Sequence, residues 1–189
     1  MKIGLLGGTF DPIHNGHLIL AQECWHILGL DKVIFIPAYI SPHKEIPDNV
    51  SVADRLNLVR ISLEGEKRFE ISTFEIDSAS TSYSINTIEH FREKYKEAEI
   101  FFIAGADSAG TLNEWNNIEK ILNLVTFVVA TRPGWDEKSP YEDRIKRVNI
   151  PAIDIASSDI RRRIKEKAPI DYFLKPEVVK QIRNKGLYQ

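Results

Sequence analysis

"KIGLLGGTFDPIHNGH", Lys2–His17, opens as a short apolar run, passes through Gly7 and Gly8, and ends on two histidines three residues apart. Five residues of Ile, Leu and Gly are too few for a buried helix and suit a strand. Helical spacing starts immediately downstream: Leu18, Ala21, Trp25 and Leu28 fall on one face, and Gly29 can end the helix. The stretch is therefore read as strand, glycine turn and helix, the helix beginning near Asn15. That is the first half of a βαβ unit.

Three further runs share the character of the first: "KVIFIP" at 32–37, "EIFFIA" at 99–104 and "LVTFVVAT" at 124–131. They are short, rich in Val, Ile and Phe, and do not alternate, as strands covered on both faces do. Between them Val52, Leu56, Val59 and Leu63 mark a helix after Ser51, a good N-cap, and Ile88, Phe91 and Tyr95 mark another from near Ser84. Strand alternating with helix predicts an α/β fold, a single-domain, doubly wound, Rossmann-like parallel sheet with helices on both faces. The domain is expected to span residues 1–189, with a helical C-terminal part from about residue 155. There "SSDIRRRIKEK" and "KPEVVKQIRNKG" read as helices, the second with Pro176 near its first turn and Gly186 as its stop. Segments 37–50 and 132–147, punctuated by prolines, read as loops.

Composition narrows the function classes. The chain has 189 residues, 43% of them hydrophobic and 28% charged, with a formal net charge of −2. That charge gives no footprint for nucleic acid or an anionic membrane, so any bound anion is held by a local arrangement. Cys24 is the single cysteine, which excludes an intramolecular disulfide and suits a reducing compartment. No apolar stretch is long enough to cross a membrane and no signal-peptide pattern is seen, so a cytoplasmic protein is expected. Homo-oligomerisation is left open.

The chemistry must lie near the opening stretch. Doubly wound sheets bind ligands at the carboxyl ends of their strands. Glycines at a strand end let backbone approach a ligand, and a helix N-terminus offers N–H groups to an anion. The pattern is neither Walker A nor the dinucleotide fingerprint. His14 and His17, separated by Asn15 and Gly16, could ligate a metal, but a catalytic site needs a third ligand. On the residues alone an anion cradle, a metal pair and a purely structural turn all remain.

"GGTFDPIHNGH" resembles the G-T-F-D-x-x-H-x-G-H signature of the T/HxGH nucleotidyltransferases. "IASSDIR" at 155–161 resembles their second motif, I-S-S-T-x-I-R, with Ala156 for the first serine and Ser158 for the threonine. Further stretches resemble bacterial nicotinate-nucleotide adenylyltransferases: "IPAYISPHK" at 36–44, "TSYSINTI" at 81–88, "FIAGADSAGTLNEW" at 102–115, "ATRPG" at 130–134 and "NKGLYQ" at 184–189. The resemblance runs along nearly the whole chain. Departures from the pattern fall at Ser41, Ser84, Asn86 and Asn116.

The resemblance implies that ATP and nicotinate mononucleotide are joined to give nicotinate adenine dinucleotide and pyrophosphate in NAD biosynthesis. His14, His17 and Arg161 would be the catalytic residues. ATP would be bound by Gly7, Gly8, Thr9, Phe10, His14, His17, Gly105, Asp107, Ser157, Ser158 and Arg161, with Asp107 toward ribose. His43, Lys44, Ser84, Trp115 and Arg132 would receive the mononucleotide, Trp115 stacking on its ring. Mg²⁺ would arrive with ATP, with no metal site built from protein side chains. Three other readings compete: a phosphopantetheine adenylyltransferase, a phosphoesterase using the two histidines as metal ligands, and a catalytically silent nucleotide-binding module.

Overall fold

The computed structural model of the protein describes residues 1–40, 49–131, 138–151 and 154–189. Six strands, β1 (Lys2–Gly8), β2 (Lys32–Pro37), β3 (Phe69–Ile71), β4 (Glu99–Gly105), β5 (Thr126–Thr131) and β6 (Ile145–Asn149), form one parallel sheet. Among the described residues, seven α-helices accompany them: α1 (Asn15–Leu28), α2 (Val52–Leu63), α3 (Phe74–Asp77), α4 (Ser84–Lys94), α5 (Ile118–Leu124), α6 (Ser157–Lys165) and α7 (Pro176–Lys185). The strand order is β3-β2-β1-β4-β5-β6, so the winding reverses between β1 and β4. The chain has the doubly wound, Rossmann-like α/β fold.

Alternation along the strands builds two cores. Leu6, Val33, Phe35, Phe101, Ile103, Val128 and Ala130 face one side, where α1, α2, α6 and α7 pack. Ile3, Leu5, Ile34, Ile36, Phe102, Phe127 and Val129 face the other, beneath α4 and α5. Both faces being covered explains why the four inner strands carry uninterrupted apolar runs. Gly4 has a packing reason: a Cβ there would meet Leu30 Cδ1 at 2.8 Å and Ile103 Cδ1 at 2.9 Å.

The expected helix ends hold. Gly29 and Gly186 close α1 and α7 in left-handed conformations, and Pro176 opens α7. The Ser51 hydroxyl accepts the Asp54 N–H at 3.0 Å at the start of α2. Cys24 is buried in the core and desolvation pushes its thiol up to about 12, as an inert side chain requires.

Two expectations are corrected. Among the described residues the sheet has six strands rather than four, because β3 and β6 lie at its edges. β6 occupies part of the segment read as a loop to residue 147; only Val148 of it is buried, so it offers no continuous apolar run. Segment 37–50 likewise begins with the last residue of β2. Among the described residues no helix is long and apolar enough to cross a membrane.

Candidate active site

The carboxyl ends of β1 and β4, where the winding reverses, open the crevice in which such sheets bind ligands. Gly7 and Gly8 were expected to form a turn after the first strand. They instead extend it, pairing with Ile36 and Pro37 of β2. The turn comes later, at Phe10, whose φ of 48° is left-handed, followed by a cis Asp11–Pro12 peptide. A non-glycine residue in that region costs on the order of 1–2 kcal/mol. Burial of the ring compensates: Phe10 is 2% exposed, packs on Phe35, and meets the His17 ring edge-on at 5.1 Å.

His14 caps α1 and His17 stands at its third position. Their rings stack at 3.7 Å, and each faces the other's backbone N–H in a capping-box arrangement. The His14 N–H donates to His17 Nδ1 at 3.2 Å. An Nδ1 that accepts a backbone N–H leaves Nε2 as the protonated nitrogen of the neutral ring, a donor suited to phosphate. Gly16 has a packing role beside the histidines. A Cβ there would lie 3.0 Å from His14 Nδ1 and 3.1 Å from Cε1, so the missing side chain makes room for the ring. The N-terminus of α1 is also less open than expected, since Asn15 donates its N–H to Phe173 O and its side-chain amide to Tyr172 O.

The second motif docks directly on the first. The Ser157 hydroxyl donates to Pro12 O at 2.9 Å, and Arg161 Nη1 donates to Asp11 O at 2.7 Å, with Asp11 Oδ2 at 3.6 Å. Ser157 and Ser158 open α6. The cap falls on Ala156, whose extended backbone (φ −117°, ψ 145°) carries no hydroxyl, so the serines occupy the first turn. Ser158 is exposed there, and Arg161 lies one turn on. A helix start with a cation one turn in favours an anion.

The other expected residues divide by position. Trp115, half-buried, sets its ring edgewise on Phe102 at 5.9 Å and Phe127 at 5.5 Å, on the sheet face opposite the histidines. Ser84 opens α4 on that same face. Thr9 follows β1; Gly105 ends β4, and Asp107, whose side chain lies outside the described part, follows in a short 3₁₀ turn (Ala106–Ser108). His43, Lys44 and Arg132 lie outside the described residues. Among the described residues no group of three or more His, Cys, Asp or Glu stands together as a metal site.

Sequence reasoning missed the polar groups beneath this crevice. Arg55 of α2 is fully buried and donates from Nη1 to Thr9 O at 2.6 Å and from Nη2 to Tyr39 O at 2.9 Å. Asp11 and Tyr188, 4% and 1% exposed, interact with it electrostatically. Desolvation, then the Asp11 charge, drives the Tyr188 hydroxyl above its ordinary value. On the other side Glu75 is buried and accepts from the Thr87 hydroxyl at 2.5 Å; desolvation raises its carboxyl above the usual range. Ser82 accepts the Tyr39 N–H at 3.0 Å. One signal was available: Arg55 lies four residues before Val59, on the buried stripe of α2.

Residues 5–163 match the cytidylyltransferase-like family, so the fold and its paired motifs define a nucleotidyltransferase. A probable nicotinate-nucleotide adenylyltransferase of Bacillus mycoides (strain KBAB4) is 43% identical over 188 residues, covering 100% of this chain and 98% of its own. Its counterpart in Halalkalibacterium halodurans is 42% identical over 189 residues, covering 100% and 91%. The chain belongs to the nicotinate-nucleotide adenylyltransferases within that family. Among solved structures, the Plasmodium falciparum nicotinic acid mononucleotide adenylyltransferase complexed with NaAD superposes with a TM-score of 0.81 at 17% identity, covering 99% of this chain and 97% of the other, a likeness of fold.

Proposed function

We propose that the protein transfers the adenylyl group of ATP to nicotinate mononucleotide, giving nicotinate adenine dinucleotide and pyrophosphate. One observation carries the reading: motifs separated by about 145 residues meet, Ser157 on Pro12 and Arg161 on Asp11, beside two stacked histidines. Two anion-binding elements so joined suit one polyphosphate held along its length. His14 and His17 donate to the α-phosphate region, and the first turn of α6 with Arg161 holds the β- and γ-phosphates. A divalent cation such as Mg²⁺, brought in with ATP, would offset the charge of the triphosphate.

The acceptor phosphate is largely dianionic at neutral pH, its second pKa being about 6, so no general base is needed. One of its oxygens attacks the α-phosphorus. The new P–O bond forms as the bond to the bridging oxygen breaks, and pyrophosphate leaves with that electron pair. The protein's task is to bring two anions into line and stabilise the charge that spreads over the transferring group. Trp115 and the start of α4 flank the acceptor's pyridine ring and ribose. The chemistry, and a single thiol with no disulfide, suit the cytoplasm.

Incubating the protein with MgATP and, in separate reactions, nicotinate mononucleotide, nicotinamide mononucleotide or phosphopantetheine, then measuring pyrophosphate, tests the assignment. Fastest release is expected with nicotinate mononucleotide. Release only with phosphopantetheine, or phosphate in place of pyrophosphate, would overturn it.

A further inference from the structure

Arg55 is the one fully buried cation among the described residues, and the proposed chemistry gives it no substrate to touch. Removing a guanidinium from water costs several kcal/mol unless its partners are well placed. Here the partners are two backbone carbonyls, a carboxylate and a phenol. The carbonyls belong to the segments leaving two neighbouring strands, β1 and β2, whose ladder ends with the Ala38 N–H on Gly8 O. Thr9 O belongs to the turn that leads to His14 and His17, on the ATP side. Tyr39 O belongs to the segment leaving β2, and the N–H of the same residue is bonded to Ser82, two residues before α4, on the acceptor side. A planar fork with fixed geometry therefore ties the turn at Thr9 to the segment at Tyr39 just beyond the end of their ladder.

The charge on the fork is held from beneath. The Asp11 charge acts on it electrostatically, and Asp11 also receives Arg161 through its carbonyl and its carboxylate. Tyr188 closes the group from α7's side, its hydroxyl beside Asp11. Two guanidiniums against one carboxylate leave net positive charge under a site that must hold two polyanions. A lysine at 55 would keep that charge, but one ammonium on a flexible stem replaces a two-pronged fork.

We propose that Arg55 is a positioning residue that sets the separation of the ATP-holding turn at Thr9 and the acceptor-holding segment at Tyr39, and thereby the alignment of the two reacting phosphates. The inference rests on the adenylyl-transfer reading above. Its signature is a loss in kcat out of proportion to any loss in the binding of either substrate alone. Misplacement by about 1 Å costs roughly a hundredfold in rate.

Arg55→Lys tests it. We expect kcat for pyrophosphate release to fall roughly ten- to a hundredfold. Dissociation constants for a nonhydrolysable ATP analogue and for nicotinate mononucleotide, each measured singly, should move less than about threefold. A kcat within threefold of the unaltered protein, or a loss that appears wholly as weaker binding of one substrate, overturns the inference. Should Arg55→Lys not fold, the unaltered protein still decides. Adding the ATP analogue alone should slow amide hydrogen exchange at residues 38–40 as well as at 9–11, 13 and 14, and no slowing at 38–40 overturns the inference. An unaltered protein that releases no pyrophosphate with nicotinate mononucleotide refutes the functional reading instead.

Discussion

Gly16→Ala separates a role in catalysis from a role in folding. The added Cβ would sit 3.0 Å from His14 Nδ1 and 3.1 Å from Cε1, with Ile155 Cβ at 3.8 Å. Ordinary contact needs about 3.5 Å or more, so the imidazole must yield by a few tenths of an ångström. It cannot yield alone, because it stacks on His17 at 3.7 Å, and His17 rests edge-on against Phe10. Scaling from the hundredfold loss for a 1 Å misplacement, a shift of that size costs roughly three- to tenfold in kcat. Folding should barely register the change. Alanine gains up to about 1 kcal/mol over glycine in a helix, which offsets the tight contact. Initial-rate measurement of pyrophosphate release, beside a melting curve, reads both. The expected result is the stated kcat loss with Tm within a few degrees. A variant of normal Tm and unchanged kcat would refute the claim that Gly16 holds the His14 ring in its working position.

Gly4→Ala should do the reverse. Its Cβ would press on Leu30, Ile103 and Val33 at 2.8–3.3 Å, overpacking that costs about 1–3 kcal/mol, or roughly 2–12 °C in Tm, while kcat at 25 °C holds. Trp115→Ala should raise KM for nicotinate mononucleotide more than for ATP. It should also lower Tm, since two edge-on contacts are worth about 1–3 kcal/mol together; equal changes in both KM values would remove Trp115 from the acceptor side. Glu75 titrates above its ordinary value near 4.5 because it is buried. The stability tied to its proton is therefore full below that ordinary value and is lost as pH rises through the elevated one. Glu75→Gln keeps an acceptor for Thr87, so its Tm advantage over the unaltered protein should widen from pH 4 to pH 8; a constant gap would contradict the raised titration.

The inner strands were legible because both of their faces are covered, which leaves an unbroken apolar run as a trace. β3 and β6 left none, having three residues in one case and a single buried one in the other. The helix stops at Gly29 and Gly186 were legible because a left-handed residue strongly selects glycine. The same rule misplaced the turn after β1. There the left-handed residue is Phe10, which accepts the strain in exchange for a buried ring. The two motifs were readable as anion sites, yet the direct bonds between them were not, since sequence carries no sign of which carbonyl a serine or arginine will reach. Asp11 and Tyr188 were quoted within motifs and still escaped notice as partners, because burial of a polar group is a property of the assembled fold. Arg55 alone left a signal, a charge on the apolar stripe of α2, and it too went unread.

The bonds that assemble the phosphate site join residues far apart along the chain: Ser157 to Pro12 across 145 residues, Arg161 to Asp11 across 150, and Asn15 to Tyr172 across 157. Most sheet pairs join nearer neighbours, Ile3 with Lys32 across 29 residues and Phe101 with Thr126 across 25, and even the central pair of β1 with β4 spans 97. Contacts of the widest separation bear the largest loop-closure entropy and are rewarded last. During renaturation, then, helical and sheet signals should return before turnover does. In rising urea turnover should vanish first, at concentrations where the sheet is still intact. The active site is the seam at which the two ends of the polypeptide are sewn together, and a seam is the part of a garment that opens first.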